Sequence, residues 1–239
     1  MLKRFRNFAY LGVDFVLKKR LKDEYIDWLR FANAGMLNPG NVYCINHAFE
    51  RLRLSSPVVE IGSFCGLSTN VITYLLRKNN LGNRVISADK WIFEGAEQGG
   101  MLGKSDIEHK AYREFVKSTY MRNVSFFSAE NLPFTIECFS DEFFEKWKKG
   151  VSTQDIFDRE IKLGGNIGFA YIDGNHTYEF TKRDFHNVDQ YLEVGGFILF
   201  DDSSDRNPFG LTPLMKEIEQ KRSYELVMKN PNYLFRKVR

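Results

Sequence analysis

Five acids in this chain stand where they could do chemistry: Glu60, Asp89, Asp173, Asp201 and Asp202. Each lies at or near the end of a short apolar run: Val58–Ile61, Arg84–Ala88, Ile167–Ile172 and Phe197–Phe200. Runs of this length and composition read as buried strands. In open α/β sheets ligands bind beyond the carboxyl ends of the strands, so acids there face a ligand. Glu60 precedes Gly62-Ser63-Phe64-Cys65-Gly66, where two glycines let the backbone pass close to a bound group. The spacing is Glu-x-Gly-x-x-x-Gly, not the Gly-x-Gly-x-x-Gly of a dinucleotide site. A carboxylate there attracts an amino group and repels phosphates. Asp89 stands where nucleotide-binding units bind ribose hydroxyls. Asp173, Asp201 and Asp202 converge at one edge, and carboxylates that close need a cation or protons. An all-oxygen set suits Mg²⁺ or another hard cation, which would acidify a bound hydroxyl. His176, three residues after Asp173, can serve as general base, a role that Asn175 cannot fill.

Each residue also has a plainer reading. The Glu-Gly stretch could be a tight turn with an incidental acid, and Asp89 or Asp202 could cap the following helix. His176 could only order its loop, and Asp184, on the next helix, orders the site or the helix.

The elements that must position these groups follow from periodicity. A helix opens at Ser68 or Thr69 and carries Val71, Ile72, Leu75 and Leu76 on one face to Arg77-Lys78. Glu94–Gly103 is glycine-rich and reads as a lid, and a helix follows over about Ser105–Tyr120. Asn123–Ser128 reads as the third strand, and residues 141–165 as a partly helical insert. After Asp173, Thr181, Phe185, Val188 and Leu192 share a helical face that stops at Gly195-Gly196, read as C-cap residues. Thr212-Pro213 opens the last helix, to about Lys221. Tyr224–Met228 and Tyr233–Val238 form a closing hairpin. Before the first strand lie helices over about Asp23–Asn33 and Val42–Leu54. Ahead of these, Met1–Lys22 holds seven basic residues against one acid, with Phe5, Phe8, Phe15 and Val16 on one stripe. That segment packs on the domain or on a second copy of the chain, or lies on an anionic membrane surface.

The 239 residues suit one α/β domain with decorations. Net charge is +3, too small for a nucleic-acid surface across the whole chain. Cys44, Cys65 and Cys138 are scattered and odd in number, which fits free thiols in a reducing, cytoplasmic compartment. No apolar run is long enough to span a bilayer. The first residues lack the long apolar core of a signal peptide.

Taken together and in order, Glu60-Ile61-Gly62-x-x-x-Gly66, Asp89, Ile172-Asp173-Gly174-Asn175-His176-Thr177-Tyr178 and Gly195–Asp202 resemble a class I S-adenosylmethionine-dependent methyltransferase. More narrowly, they are similar to the macrocin- and novobiocin-type sugar O-methyltransferases. The resemblance covers Val58 to the C-terminus. It implies a doubly wound, mostly parallel α/β sheet of seven strands over residues 57–239, with residues 1–56 as a helical extension that caps the site or forms an interface. It implies that Glu60 and the Gly62–Gly66 loop, including Ser63, hold the methionine part of the cofactor. Asp89 would take the ribose, and Ser128 and Ala129 would border the adenine. Asp173, Asp201 and Asp202 match metal positions of the metal-dependent members, and Asp173 and His176 would serve the chemistry. Close sugar methyltransferases carry an acid where this chain has Asn175, a departure that puts the base in question.

The expected activity is O-methylation of a sugar or other small metabolite, with S-adenosylmethionine and a divalent cation. Three other readings remain: a metal-independent transferase for nitrogen or carboxyl acceptors, a nicotinamide oxidoreductase, and a non-catalytic binding protein on the same scaffold. The missing third glycine and the terminal hairpin speak against the nicotinamide reading.

Overall fold

Strand pairing decides where the acids stand. In the computed structural model, which describes residues 19–92, 96, 98–205 and 207–239, the central strands are β1 (Val58–Ile61), β2 (Val85–Ala88), β3 (Phe134–Ile136), β6 (Ile167–Ile172) and β7 (Leu192–Phe200). These five run parallel. The terminal hairpin, β8 (Tyr224–Lys229) and β9 (Tyr233–Lys237), joins antiparallel to β7. The sheet order is β3-β2-β1-β6-β7-β9-β8. This is the expected seven-stranded sheet with its closing hairpin, and β9 lies inside β8. A separate two-stranded ribbon, β4 (Ser152–Gln154) with β5 (Glu160–Lys162), occupies the insert.

Pleating sorts side chains onto two faces. Val59, Ile61, Ile86, Ala88, Ala170, Ile172, Ile198 and Phe200 share a core with α5 (Ser140–Lys149), α6 (Tyr178–Asp189) and α7 (Thr212–Glu219). Val58, Val85, Phe169, Tyr171, Phe197 and Leu199 point the other way. They pack against α1 (Glu24–Ala32), α2 (Pro39–Phe49) and α3 (Leu67–Lys78). The sheet is therefore doubly wound, and the N-terminal helices share its core. Phe49 of α2 packs edge-on against Phe169 of β6 at 5.1 Å. Asp23 caps α1 by accepting from Ile26 N, and its other oxygen takes the Tyr74 hydroxyl and the Lys78 ammonium of α3.

Three expectations change. Asn123–Ser128 is not a strand but the end of a 19-residue helix, α4 (His109–Phe127), and the strand follows at Phe134. Val116, Tyr120 and Val124 recur every four residues and bury together against Cys65 and Trp91, while Phe126 is 78% exposed, which no central strand position would be. Gly195-Gly196 does not cap a helix. It lies inside β7, where a Cβ on Gly196 would come within 2.8 Å of the Gly168 carbonyl oxygen, so glycine lets β6 and β7 meet across a register shift. Leu192, expected on the helical face, opens β7. The insert combines α5 with the β4–β5 ribbon.

Residues 1–18 of the basic stretch and residues 94, 95 and 97 of the expected lid lie outside the described residues. Within the remainder of that loop, Met101 bridges to Glu108. Among the described residues no helix is long and apolar enough to cross a membrane.

Candidate functional site

The strand ends are in register: Ile61 pairs with Ala88 and with Ile172, and Ile172 with Phe200. The next residues continue the ladder. Gly62 N donates to Ala88 O, Asp173 N to Ile61 O, Asp201 N to Ile172 O and Asp89 N to Ile136 O. Asp89, Gly62, Asp173 and Asp201 therefore form one row across the sheet, about 4.8 Å from strand to strand. By the same alternation the three acids fall on the pleat face that carries α1–α3, as does Glu60 two residues before Gly62. The gap in the row is Gly62. With φ at 81° and a would-be Cβ 2.0 Å from the Asp173 carbonyl oxygen, only glycine fits there.

Glu60 is fully buried under the start of α3. It accepts from Thr69 Oγ1 at 2.6 Å and Ser87 Oγ at 2.8 Å, and its Oε1 has no partner. Burial pushes its carboxyl up to about 7 against the lowering effect of the Ser68, Thr69 and Ser87 hydroxyls. An orphaned buried carboxylate oxygen suits a donor such as an ammonium. This is the observation on which the methionine part of the cofactor fits the chain.

Gly66, left-handed at φ 89°, opens α3, and Ser63 N and Phe64 N turn back to Asp89 Oδ2 at 2.7 and 3.0 Å. Asp89 Oδ1 accepts from Trp91 N at 2.6 Å. Asp89 thus sits beside the loop as expected and fixes it; Oδ1, with one partner, has capacity for a hydroxyl.

Ser128 and Ala129 do not lie at the end of a strand, as the expected third strand would have placed them. Because the strand shifts to Phe134, Ser128 is the buried C-cap of α4, bonded to Asn70 and Thr73 on α3. The residues that continue β3 past its tip are Glu137, Cys138 and Phe139. Glu137 is held by Arg113 and Lys117 of α4, which keep its carboxyl below the usual range against partial burial. The 112, 116, 120, 124 periodicity was the sequence signal that would have moved this strand.

The other end of the row is acidic. Asp173 and Asp201 stand at adjacent strand ends, and burial, then the Asp201 charge, drive Asp173 well above the usual carboxylate range. Asp202 is also raised, by burial and then by Asp201, and accepts from Asn207 at 2.9 Å. His176 lies between, with Nε2 3.9 Å from Asp173 Oδ1, Nδ1 3.6 Å from Asp202 Oδ2 and its ring 5.0 Å from that of Phe209. Asn175 turns its Oδ1 to Thr177 N and orders the loop. Asp184 is buried with one oxygen unpartnered, and burial raises it to about 6. Among the described residues no group of three or more His, Cys, Asp or Glu side chains is already arranged to hold a metal ion. A cleft of about 540 Å³ beside Trp147, Lys162 and Tyr191 opens next to the start of β6, at the opposite end of the strands, and holds none of these acids.

Two residues that sequence reasoning missed complete the acidic end. Asn41 of α2 and Asn232 of the β8–β9 turn both donate to Asp201 Oδ1, at 2.5 and 2.7 Å.

A family described as "Methyltransferase domain" matches residues 59–203, more than half of the chain. No functionally curated protein matches it. Solved structures with the same fold include the apo form of CalS11, a TDP-rhamnose 3'-O-methyltransferase (15% identity, 82% of this chain and 78% of that one, TM-score 0.52). The O-methyltransferase of Bacillus cereus with SAH matches at 13% identity over 96% of both chains (TM-score 0.55). The SAH-bound methyltransferase PaMTH1 of Podospora anserina matches at 12% identity over 99% of this chain and 96% of that one (TM-score 0.57).

Proposed function

The chain belongs to the methyltransferase-domain family, an S-adenosylmethionine-dependent transferase, and from that premise we propose that it methylates a hydroxyl of a sugar or other small metabolite. The observation that carries the reading is the registered row of Asp89, Gly62, Asp173 and Asp201: a cofactor cradle at one end, an acidic site at the other and a gap between. CalS11, whose name gives it a sugar hydroxyl as acceptor, lends the substrate class its support.

In this reading Glu60 receives the cofactor's amino group, Gly62, Ser63 and Gly66 shape its seat and Asp89 receives a ribose hydroxyl. Ser128 and Ala129 have no part. The bound cofactor supplies an electrophilic methyl group, and the protein aligns the acceptor oxygen with it. His176 takes the acceptor's proton at Nε2 or Nδ1, with Asp173 and Asp202 on either side to stabilise the imidazolium. The oxygen donors of Asp173, Asp201 and Asp202 suit a hard divalent cation, which would lower the pKa of a coordinated hydroxyl.

Calorimetry with S-adenosylhomocysteine tests the cradle, and Glu60→Ala should abolish binding. Turnover on a panel of sugars and small alcohols, with and without chelator, tests the rest. Loss of turnover on chelation and in Asp201→Asn supports cation assistance. The lack of a ready-made ligand group favours a second reading, metal-independent transfer, under which turnover survives both.

A further inference from the structure

Asp201 is held from two directions by residues far apart in sequence. Asn41 lies in α2, and its amide hydrogens go to Asp201 Oδ1 at 2.5 Å and to the Tyr171 hydroxyl at 3.2 Å. Asn232 lies in the turn of the closing hairpin. Its two amide hydrogens go to Asp201 Oδ1 at 2.7 Å and to Asn41 Oδ1 at 3.0 Å, and its own Oδ1 accepts from Ser204 N. Every amide hydrogen of the pair is used, and both side chains are buried, 0% and 2% exposed. The orientation of both amides follows from the acceptor: a flipped amide would set its oxygen against a carboxylate oxygen.

Two features go beyond packing. The donors converge on one oxygen of one carboxylate, saturating Oδ1 and leaving Oδ2 as the oxygen Asp201 can offer. And the carboxylate they hold stands next to Asp173 in the row of strand ends. Tying α2 to the hairpin would require only the bond between the two asparagines.

We propose that Asn41 and Asn232 are positioning residues for methyl transfer. They fix the Asp201 carboxylate in the row of strand-end acids and make the N-terminal helices and the terminal hairpin working parts of the site. The proposal rests on the reading of Asp173, Asp201 and Asp202 as the group that receives the cation and the acceptor hydroxyl.

Mn²⁺ binding to the full chain, followed by electron paramagnetic resonance with S-adenosylhomocysteine present, separates positioning from packing. Asn41→Ala and Asn232→Ala should each weaken Mn²⁺ about tenfold or more while S-adenosylhomocysteine affinity, measured by calorimetry, stays within about twofold. The double variant should lose less than the product of the two single losses, because both donors serve one oxygen. Unchanged Mn²⁺ affinity in both single variants would overturn the proposal. If the wild-type chain binds no Mn²⁺, the cation reading fails, and the clamp is decided by the ¹⁵N side-chain amide spectrum. Asp201→Asn must then shift the Asn41 and Asn232 signals and speed their exchange with water, and unmoved signals overturn the clamp. That spectrum also decides the matter if Asn41→Ala does not fold.

Discussion

Glu60 is an acid buried away from solvent, and its environment makes the fold's stability sensitive to pH. Its folded value, about 7, lies above its ordinary 4.5, so the native state keeps the proton longer than the unfolded chain does. The stabilisation is complete below the ordinary value and is lost as pH rises through about 7, a contribution on the order of 3 kcal/mol. Urea unfolding without cofactor should therefore show stability falling between about pH 5 and pH 8. Glu60→Gln keeps an acceptor for Thr69 and Ser87 but cannot ionise, so its curve should fall less steeply than the wild type's across that range, the remaining slope coming from the raised carboxyls of Asp173, Asp184 and Asp202. An ammonium at the orphaned Oε1 favours the ionised form, so S-adenosylhomocysteine should raise the melting temperature of the wild type more at pH 8 than at pH 6. Asp173 trades stability for function in the same way. Its half-buried carboxyl neighbours that of Asp201, so Asp173→Asn should melt higher than the wild type at pH 8 and lose turnover. Calorimetric scans beside an activity assay check both halves.

Elements carry these residues to their places, and two contacts show how tightly. Gly62 links β1 to the cradle with the Asp173 backbone against it. Gly62→Ala combines a left-handed φ with a backbone clash and should cost at least about 2–3 kcal/mol, read as a lower denaturation midpoint. Phe49 anchors α2 on β6 with 1% of its surface exposed. Phe49→Ala should cost about 3–5 kcal/mol, and because α2 also carries Asn41, Mn²⁺ affinity should fall as well. Element existence was largely legible in the sequence: β1, β2, β6, the end of β7 and the closing hairpin lie where apolar runs and turn residues put them. The failure at Asn123–Ser128 has a local cause. Val124, Phe126 and Phe127 have strand propensity, but the four-residue recurrence of Val116, Tyr120 and Val124 lets one helix bury a stripe against Trp91, and burial outweighs propensity.

At the scale of the whole molecule, residues 19–56 are not a detachable prefix. Ile26, Leu29, Val42, Ile45 and Phe49 share one core with α3 and the sheet. A chain beginning at residue 57 should therefore lack a cooperative thermal transition and be cut rapidly by protease, whereas a mere cap would leave a folded remainder. The sequence alone determined the acids, the glycine spacing and most of the strands that carry them, because strand ends, helix starts and glycine bends are written in short-range composition. Tertiary structure alone decided that Asp89, Gly62, Asp173 and Asp201 lie level in one row, since register depends on pairing between strands far apart in the chain. It also decided that Asn41 and Asn232, separated by nearly the full length of the protein, close on a single carboxylate oxygen. No spacing rule could announce that contact, because it arises only where a helix and a hairpin pack against the same edge of the sheet.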